Sequence, residues 1–178
     1  MTSSDVTFSG DAPFRVIKLH LGGYQLTSLP AEIGQLRSLE VLYLGGNQLT
    51  SVPAEIGQLT SLKRLILSDN QLTSVPAEIG QLTSLEVLNL NGNQLTSLPA
   101  EIGRLTSLDR LGLKGNQLTI VPAGIWQLKS LEVLDLNNNQ LSEEEHVKRN
   151  REIVAALKRR GVKVSSQFFE NLACCVIS

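Results

Sequence analysis

The sequence predicts an α/β repeat solenoid: a right-handed superhelix with a parallel concave sheet of about six strands, short helical or 3-10 turns on the convex side, and a C-terminal capping helix. Three observations predict it. Asparagine recurs at Asn47, Asn70, Asn93, Asn116 and Asn139 with a step of 23 residues. Proline recurs at Pro30, Pro53, Pro76, Pro99 and Pro122 with the same step. Between them leucine follows the pattern L-x-x-L-x-L-x-x-N-x-L, in which a stretch of alternation gives way to wider spacing, as for one short strand and one turning segment. Units this short cannot bury an apolar side alone and must stack on their neighbours.

Within the copy Ser38 to Thr60, Leu42 and Leu44 alternate with Val41, Tyr43 and Gly45. The leucines are expected to point inward and the other three outward. Strands are expected to begin near Lys18, Val41, Arg64, Val87, Arg110 and Val133, pairing in parallel over a length on the order of 25 to 30 Å at about 4.8 Å per strand. Asn47 ends the strand where the chain must turn, and its amide can satisfy backbone groups that the turn leaves unpaired. With Asn70, Asn93, Asn116 and Asn139 it is expected to form a buried structural ladder. The segment Leu-Thr-Ser-Val/Leu-Pro-Ala-Glu-Ile-Gly then recurs almost unchanged, with proline opening and glycine nearly closing a short convex turn.

The ends depart from the pattern. Tyr24 stands at the asparagine position of the first copy, and Trp126 replaces the turn glycine in the fifth, where it is expected to shield the core near the C-terminal cap. After Leu141 the repeat stops. Ser142 and Glu145 form a capping box for a helix with Val147, Ile153, Val154 and Leu157 on one side, ending near Arg160 and Gly161. The chain therefore divides into an N-terminal extension (1–14), a solenoid of about 5.5 repeats (15–141), a capping helix (142–161) and a tail (162–178).

Hydrophobic residues make up 42% and charged ones 19%, a balance that argues against disorder. The net charge of −1 and the few aromatic residues argue against nucleic acid as a partner. Both cysteines lie within five residues of the end, so no internal disulfide framework is available and a reducing compartment is favoured. There is no signal-peptide pattern, glycosylation acceptor or membrane-spanning run. With two histidines, no phosphate loop and no metal-spaced cluster, no enzyme, cofactor or metal is expected. A monomer is expected.

The motif L-x-x-L-x-L-x-x-N-Q-L-T-x-L/V-P-A-E-I-G-Q-L, from Arg15 to about Leu141, resembles the 23-residue class of intracellular leucine-rich repeats. That class is found in Ras-suppressor-like proteins, Scribble and Erbin relatives, and plant intracellular Ras-group repeat proteins. The resemblance implies scaffolding and protein binding, and links the chain to small-GTPase pathways.

Comparing the copies locates candidate binding residues. Convex pairs such as Ala31-Glu32, Ala54-Glu55 and Ala77-Glu78 are constant, whereas outward strand residues differ. On the concave face these are Lys18, His20, Tyr43, Arg64, Ile66, Asn89, Asn91, Arg110, Lys114 and Asp135. Tyr43 and Ile66 beside Arg64 have the composition of an interface hot spot, and the four cations favour a mildly acidic protein surface as partner.

The last four residues, Cys175-Val176-Ile177-Ser178, match a C-a-a-X box with terminal serine, the farnesylated form, and resemble the ends of Ras-superfamily proteins. Cys174 is available for a second, acyl chain, and Lys158 to Lys163 form the densest basic run. The expected function is thus a cytoplasmic interaction module, peripheral on a membrane if Cys175 is prenylated, in a eukaryote or delivered into one. Its alternative is a soluble bacterial or protist effector that binds a host protein without a lipid anchor.

Overall fold

The computed structural model describes residues 6–8, 15–141 and 144–167. Its eight-stranded sheet runs in chain order: β1 (Val6–Phe8), β2 (Val16–His20), β3 (Val41–Tyr43), β4 (Arg64–Ile66), β5 (Val87–Asn89), β6 (Arg110–Gly112), β7 (Val133–Asp135) and β8 (Lys163–Ser165). From β2 to β8 every pairing is parallel, while β1 lies antiparallel on β2 and closes the first edge. The six strands expected from the repeat are present. Two more, β1 and β8, lie outside the repeats and extend the sheet at its ends.

Register follows directly from the repeat length. Leu19, Leu42, Leu65, Leu88, Leu111, Leu134 and Val164 stand side by side, one per strand. The central members of this row are fully buried, and only Leu19 and Val164 at the ends show 8% and 9% exposure. The core is a ribbon whose every segment is covered by the segments before and after it.

Five 3-10 turns form the convex side: Ala31–Gln35, Ala54–Gln58, Ala77–Gln81, Ala100–Arg104 and Ala123–Gln127. Each follows a proline, and the first four of these are in extended conformation, such as Pro53 with φ −67° and ψ 150°. Proline lacks an N–H to satisfy and fixes φ, so it starts the turn at little cost. The turn glycine has a different reason to be there. A Cβ on Gly80 would lie 2.5 Å from the Glu101 carbonyl oxygen of the next turn, and one on Gly57 would lie 2.6 Å from that of Glu78. Gly80→Ala is therefore expected to cost about 2 kcal/mol in urea unfolding, because backbone and not a flexible side chain blocks the added methyl; a loss below about 0.5 kcal/mol would show that the turns can spread.

Trp126 can replace this glycine because no sixth 3-10 turn follows. The helix α1 (Glu144–Arg159) takes that place instead. Its buried residues Val154, Ala156 and Leu157 close the end of the core, and Ile153 packs at its margin. Gly161, with φ +86°, turns the chain back into β8. The capping-box residue Ser142 lies outside the described residues.

Candidate protein-binding face

The sheet is anchored from behind by the asparagines. Asn70 Oδ1 accepts from Leu49 N–H at 3.0 Å, while its Nδ2 donates to Leu44 O at 3.0 Å and Leu67 O at 3.1 Å. Asn47, Asn93, Asn116 and Asn139 repeat this arrangement, each bonding its own strand end and the repeat before it. The first copy has no repeat before it to serve, which explains Tyr24 at that position. The residue preceding each asparagine is left-handed, and it is Gly46, Asp69, Gly92, Gly115 or Asn138, the types that tolerate such a φ.

Sequence reasoning missed the next member of this scheme. Asn150 of α1 is completely buried; its Oδ1 accepts from Val121 N–H at 2.8 Å, and its Nδ2 donates to Thr119 O at 2.9 Å and Leu141 O at 3.1 Å. It bonds the segment just after Leu118, in the same repeat that Asn139 serves, and ties α1 to Leu141. The available signal was an asparagine inside the apolar stripe Val147, Val154, Leu157, at helical spacing.

With the backbone so fixed, the outward residues form one face. Lys18, His20, Arg64, Arg110 and Lys114 are exposed, while Tyr43, Ile66, Asn89, Asn91 and Asp135 are half-buried. His20 and Tyr43 lie on adjacent strands with ring centroids 4.3 Å apart, tilted by 52°. Tyr43, Arg64 and Ile66 come together around a cleft of about 250 Å³, which also takes in Val87 and Arg110. Lys18, His20, Asn89, Asn91, Lys114 and Asp135 do not line it.

Glu86 and Asp109 do line it, and they were absent from the sequence-derived set. Each stands one residue before the strand, outside the alternation that identified the others. Asp109 Oδ1 is buried without a hydrogen-bond donor among the described residues, and Arg110 Nε lies 3.9 Å away, too far for a hydrogen bond. With Arg64 and Arg110 beside Glu86 and Asp109, the charge of the cleft is mixed, not simply basic. Nearby, Lys63 and Glu40 form a 3.0 Å ion pair that is half exposed and holds both side chains at the start of their strands.

Three polar residues of the face are engaged in local structure. Asn89 Oδ1 accepts from Asn91 N–H at 3.0 Å, Asn91 Oδ1 from Lys114 N–H at 2.8 Å, and Asp135 Oδ1 from Asn137 N–H at 3.1 Å. Gly112 leaves room for the second of these, since a Cβ there would lie 2.7 Å from Asn91 Oδ1.

At the convex end Trp126 departs from expectation. It is 50% exposed and does not shield the core, because α1 already covers that end. Its indole instead forms one wall of a cleft of about 360 Å³ against Arg149, Ile153 and Arg159 of the helix. Nor does the basic run form a single patch. Arg160 donates to Trp126 O at 3.0 Å and Leu128 O at 2.6 Å, Lys158 and Arg159 stay exposed on the helix, and Lys163 enters the sheet. Cys174 and Cys175 lie outside the described residues. Among the described residues no helix is long and apolar enough to cross a membrane.

Comparison with family models gives a match described as a leucine-rich repeat region over residues 62–160, more than half of the chain, and a second leucine-rich repeat match over residues 15–72. The chain belongs to the leucine-rich repeat family. This leucine-rich repeat protein finds no match among curated proteins. Among solved structures it is similar to a leucine-rich repeat protein of Leptospira interrogans, with 42% identity, a TM-score of 0.59, and coverage of 69% of this chain and 37% of that one. It is similar to the BIR3–SERK2 complex from Arabidopsis thaliana, with 34% identity, a TM-score of 0.63 and 70% of each chain covered. A plant peptide hormone receptor, RGFR1 in complex with RGF2, matches at 40% identity with a TM-score of 0.63, over 74% of this chain and 21% of the receptor. The chain thus spans little more than a third of the Leptospira protein and about a fifth of the receptor. Leucine-rich repeat domains generally mediate protein–protein interaction and are typically non-enzymatic.

Proposed function

We propose that this leucine-rich repeat protein is an interaction module that holds a protein partner on its concave sheet face, around the cleft of Tyr43, Arg64 and Ile66. The observation that carries the reading is the contrast between its surfaces. The buried ladder and the convex turns are nearly identical from copy to copy, whereas the sheet-facing residues vary, most of all in the series His20, Tyr43, Ile66, Asn89, Gly112 and Asp135. Packing does not dictate these residues, and together they present aromatic, aliphatic and guanidinium groups around one cleft. The complexes formed by BIR3 with SERK2 and by RGFR1 with RGF2 support protein or peptide as the class of partner.

The finer reading is a monomeric cytoplasmic scaffold of the Ras-suppressor type, acting near small GTPases and tethered at a membrane by prenylation of Cys175, with Cys174 as an acyl site. It rests on the 23-residue motif and the terminal C-a-a-X tetrapeptide. The second reading, a soluble bacterial effector without a lipid, is favoured by the 42% identity to the Leptospira protein.

Two measurements test these readings. Replacing Tyr43, Arg64 and Ile66 together by alanine is expected to abolish at least tenfold of partner capture from a eukaryotic lysate; an unchanged set of partners at unchanged yield ends the concave-face reading. Mass spectrometry of the chain expressed in eukaryotic cells is expected to show a farnesylated Cys175 lacking the last three residues. An unmodified C-terminus that retains Val176 to Ser178 overturns the tether and leaves the soluble reading.

A further inference from the structure

The strand register reveals a row that neither the repeat nor the tail shows alone. Along the first outward position of the sheet, from β2 to β8, the residues are Lys18, Val41, Arg64, Val87, Arg110, Val133 and Lys163, adjacent in that order. Every second strand carries a cation and every intervening strand a valine. The four cations are exposed and the three valines half-buried between them. With strands about 4.8 Å apart, successive cations recur every 9.5 Å or so.

A second alternation lies beside it. The residue before each valine is a glutamate: Glu40, Glu86 and Glu132. Before Arg64 stands Lys63, paired with Glu40, and before Arg110 stands Asp109. Glu86 and Glu132 therefore repel acidic groups of a ligand that fall between the cations, whereas Lys63 offsets Glu40 and Asp109 weakens the attraction at Arg110. A charge pattern that both attracts in register and repels out of register discriminates by spacing and not by total charge alone.

Duplication of a pair of repeats would account for part of this, since Glu-Val and a basic partner alternate through the copies. It does not account for Lys163. That residue belongs to no repeat; it follows α1, and β8 brings it into the row by pairing with Val133.

Resting on the reading of the concave face as a partner site, we infer that the partner presents an extended segment in polyproline II conformation with an acidic residue at every third position, lying across the strands along this row. The polyproline II helix has three residues per turn and a rise of about 3.1 Å per residue, so every third side chain returns to the same face after roughly 9.3 Å. That repeat matches the cation spacing. In a β-conformation, by contrast, side chains return to one face every second residue, after about 6.8 Å. The row spans six strand intervals, about 29 Å, which corresponds to roughly ten residues of polyproline II. Its valines offer apolar ground for the proline rings between the acids.

Fluorescence anisotropy with the full chain tests this with two labelled peptides of one composition. One has four glutamates each separated by two prolines; the other has the four glutamates together, followed by the prolines. The spaced peptide is expected to bind at least tenfold more tightly at physiological salt. Arg110→Ala and Lys163→Ala are each expected to reduce that preference at least threefold, and both positions are exposed, so the fold is unaffected. Lys158→Ala, exposed on α1 and off the row, is the control expected to change nothing. Equal affinity for the two peptides, equal loss with Lys158→Ala, or no binding of either peptide by a chain that still captures partners through Tyr43, Arg64 and Ile66 overturns the inference. None of these outcomes touches the concave-face reading, which fails only if capture ignores that triple substitution.

Discussion

Asn70→Ala is expected to lower the unfolding free energy by about 3 kcal/mol, since each buried backbone group left without its partner costs about 1 to 3 kcal/mol. Leu49 N–H loses its acceptor outright, while Leu44 O and Leu67 O each lose one of two amide donors and keep the one from Asn47 or Asn93. They belong to two successive repeats, so the side chain cannot be replaced by a local rearrangement of either one. Asn70 lies in the middle of the ladder at 7% exposure, where water has little access to the freed groups. Asn139, at the last rung, is half-buried and bonds Leu118 N–H, Leu113 O and Leu136 O at similar distances. Asn139→Ala should therefore cost less, about 1 kcal/mol, because solvent can take over part of its role. Asn70→Asp is expected to be at least as damaging as alanine, for it keeps the acceptor but sets a carboxylate against two carbonyl oxygens. Urea unfolding of the three variants checks the order; equal losses for Asn70→Ala and Asn139→Ala would refute the account of the ladder as a buried bonding element.

The repeat made the solenoid legible because it displays the same weak signal five times. A single L-x-L beside an asparagine would suit many turns, but five copies in phase fix the period, the inward parity of Leu42 and its equivalents, and their side-by-side register. The same phase places Tyr43 beside Ile66 and Val41 beside Arg64, so the heart of the cleft could be assembled before any coordinates. What lay outside the copies was not legible. β8 is three residues, Lys-Val-Ser, with no repeat to compare, and it became a strand only because β7 left an open edge. Asn150 was hidden by its helix, where an asparagine is normally read as solvated. Glu86 and Asp109 were missed because alternation was counted from the strand start, whereas a cleft is also walled by the residues that lead into it. Trp126 shows the limit of substitution logic: its size suggested a lid, but its place is set by the missing sixth turn, which would have required glycine.

A hole in the middle of the ribbon should matter more than one at its end, and Leu88→Ala measures by how much. Leu88 is fully buried in register between Leu65 and Leu111. Removing its side chain is expected to cost about 3 to 5 kcal/mol, the lost burial plus the cavity that flanking strands cannot close without shifting their own pairing. Leu19, in the same row at the first repeat, retains 8% exposure and has β1 as its outer neighbour, so Leu19→Ala should cost about 2 kcal/mol. Beyond the energies, the two variants should differ in cooperativity. In a stack held by nearest-neighbour interfaces, a central defect weakens the coupling on both sides at once, and the halves before β5 and after it begin to unfold separately. Urea unfolding of Leu88→Ala is therefore expected to broaden, with a fall in apparent m, while Leu19→Ala shifts the midpoint and keeps its slope. Equal losses with equal slopes would mean that the chain unfolds as a single body in which position along the ribbon has no weight. The binding face depends on this coupling. The alternating row from Lys18 to Lys163 keeps its spacing only while every strand between them stays paired, so Leu88→Ala should also blunt discrimination between ligands of different acidic spacing although it touches neither face nor ligand.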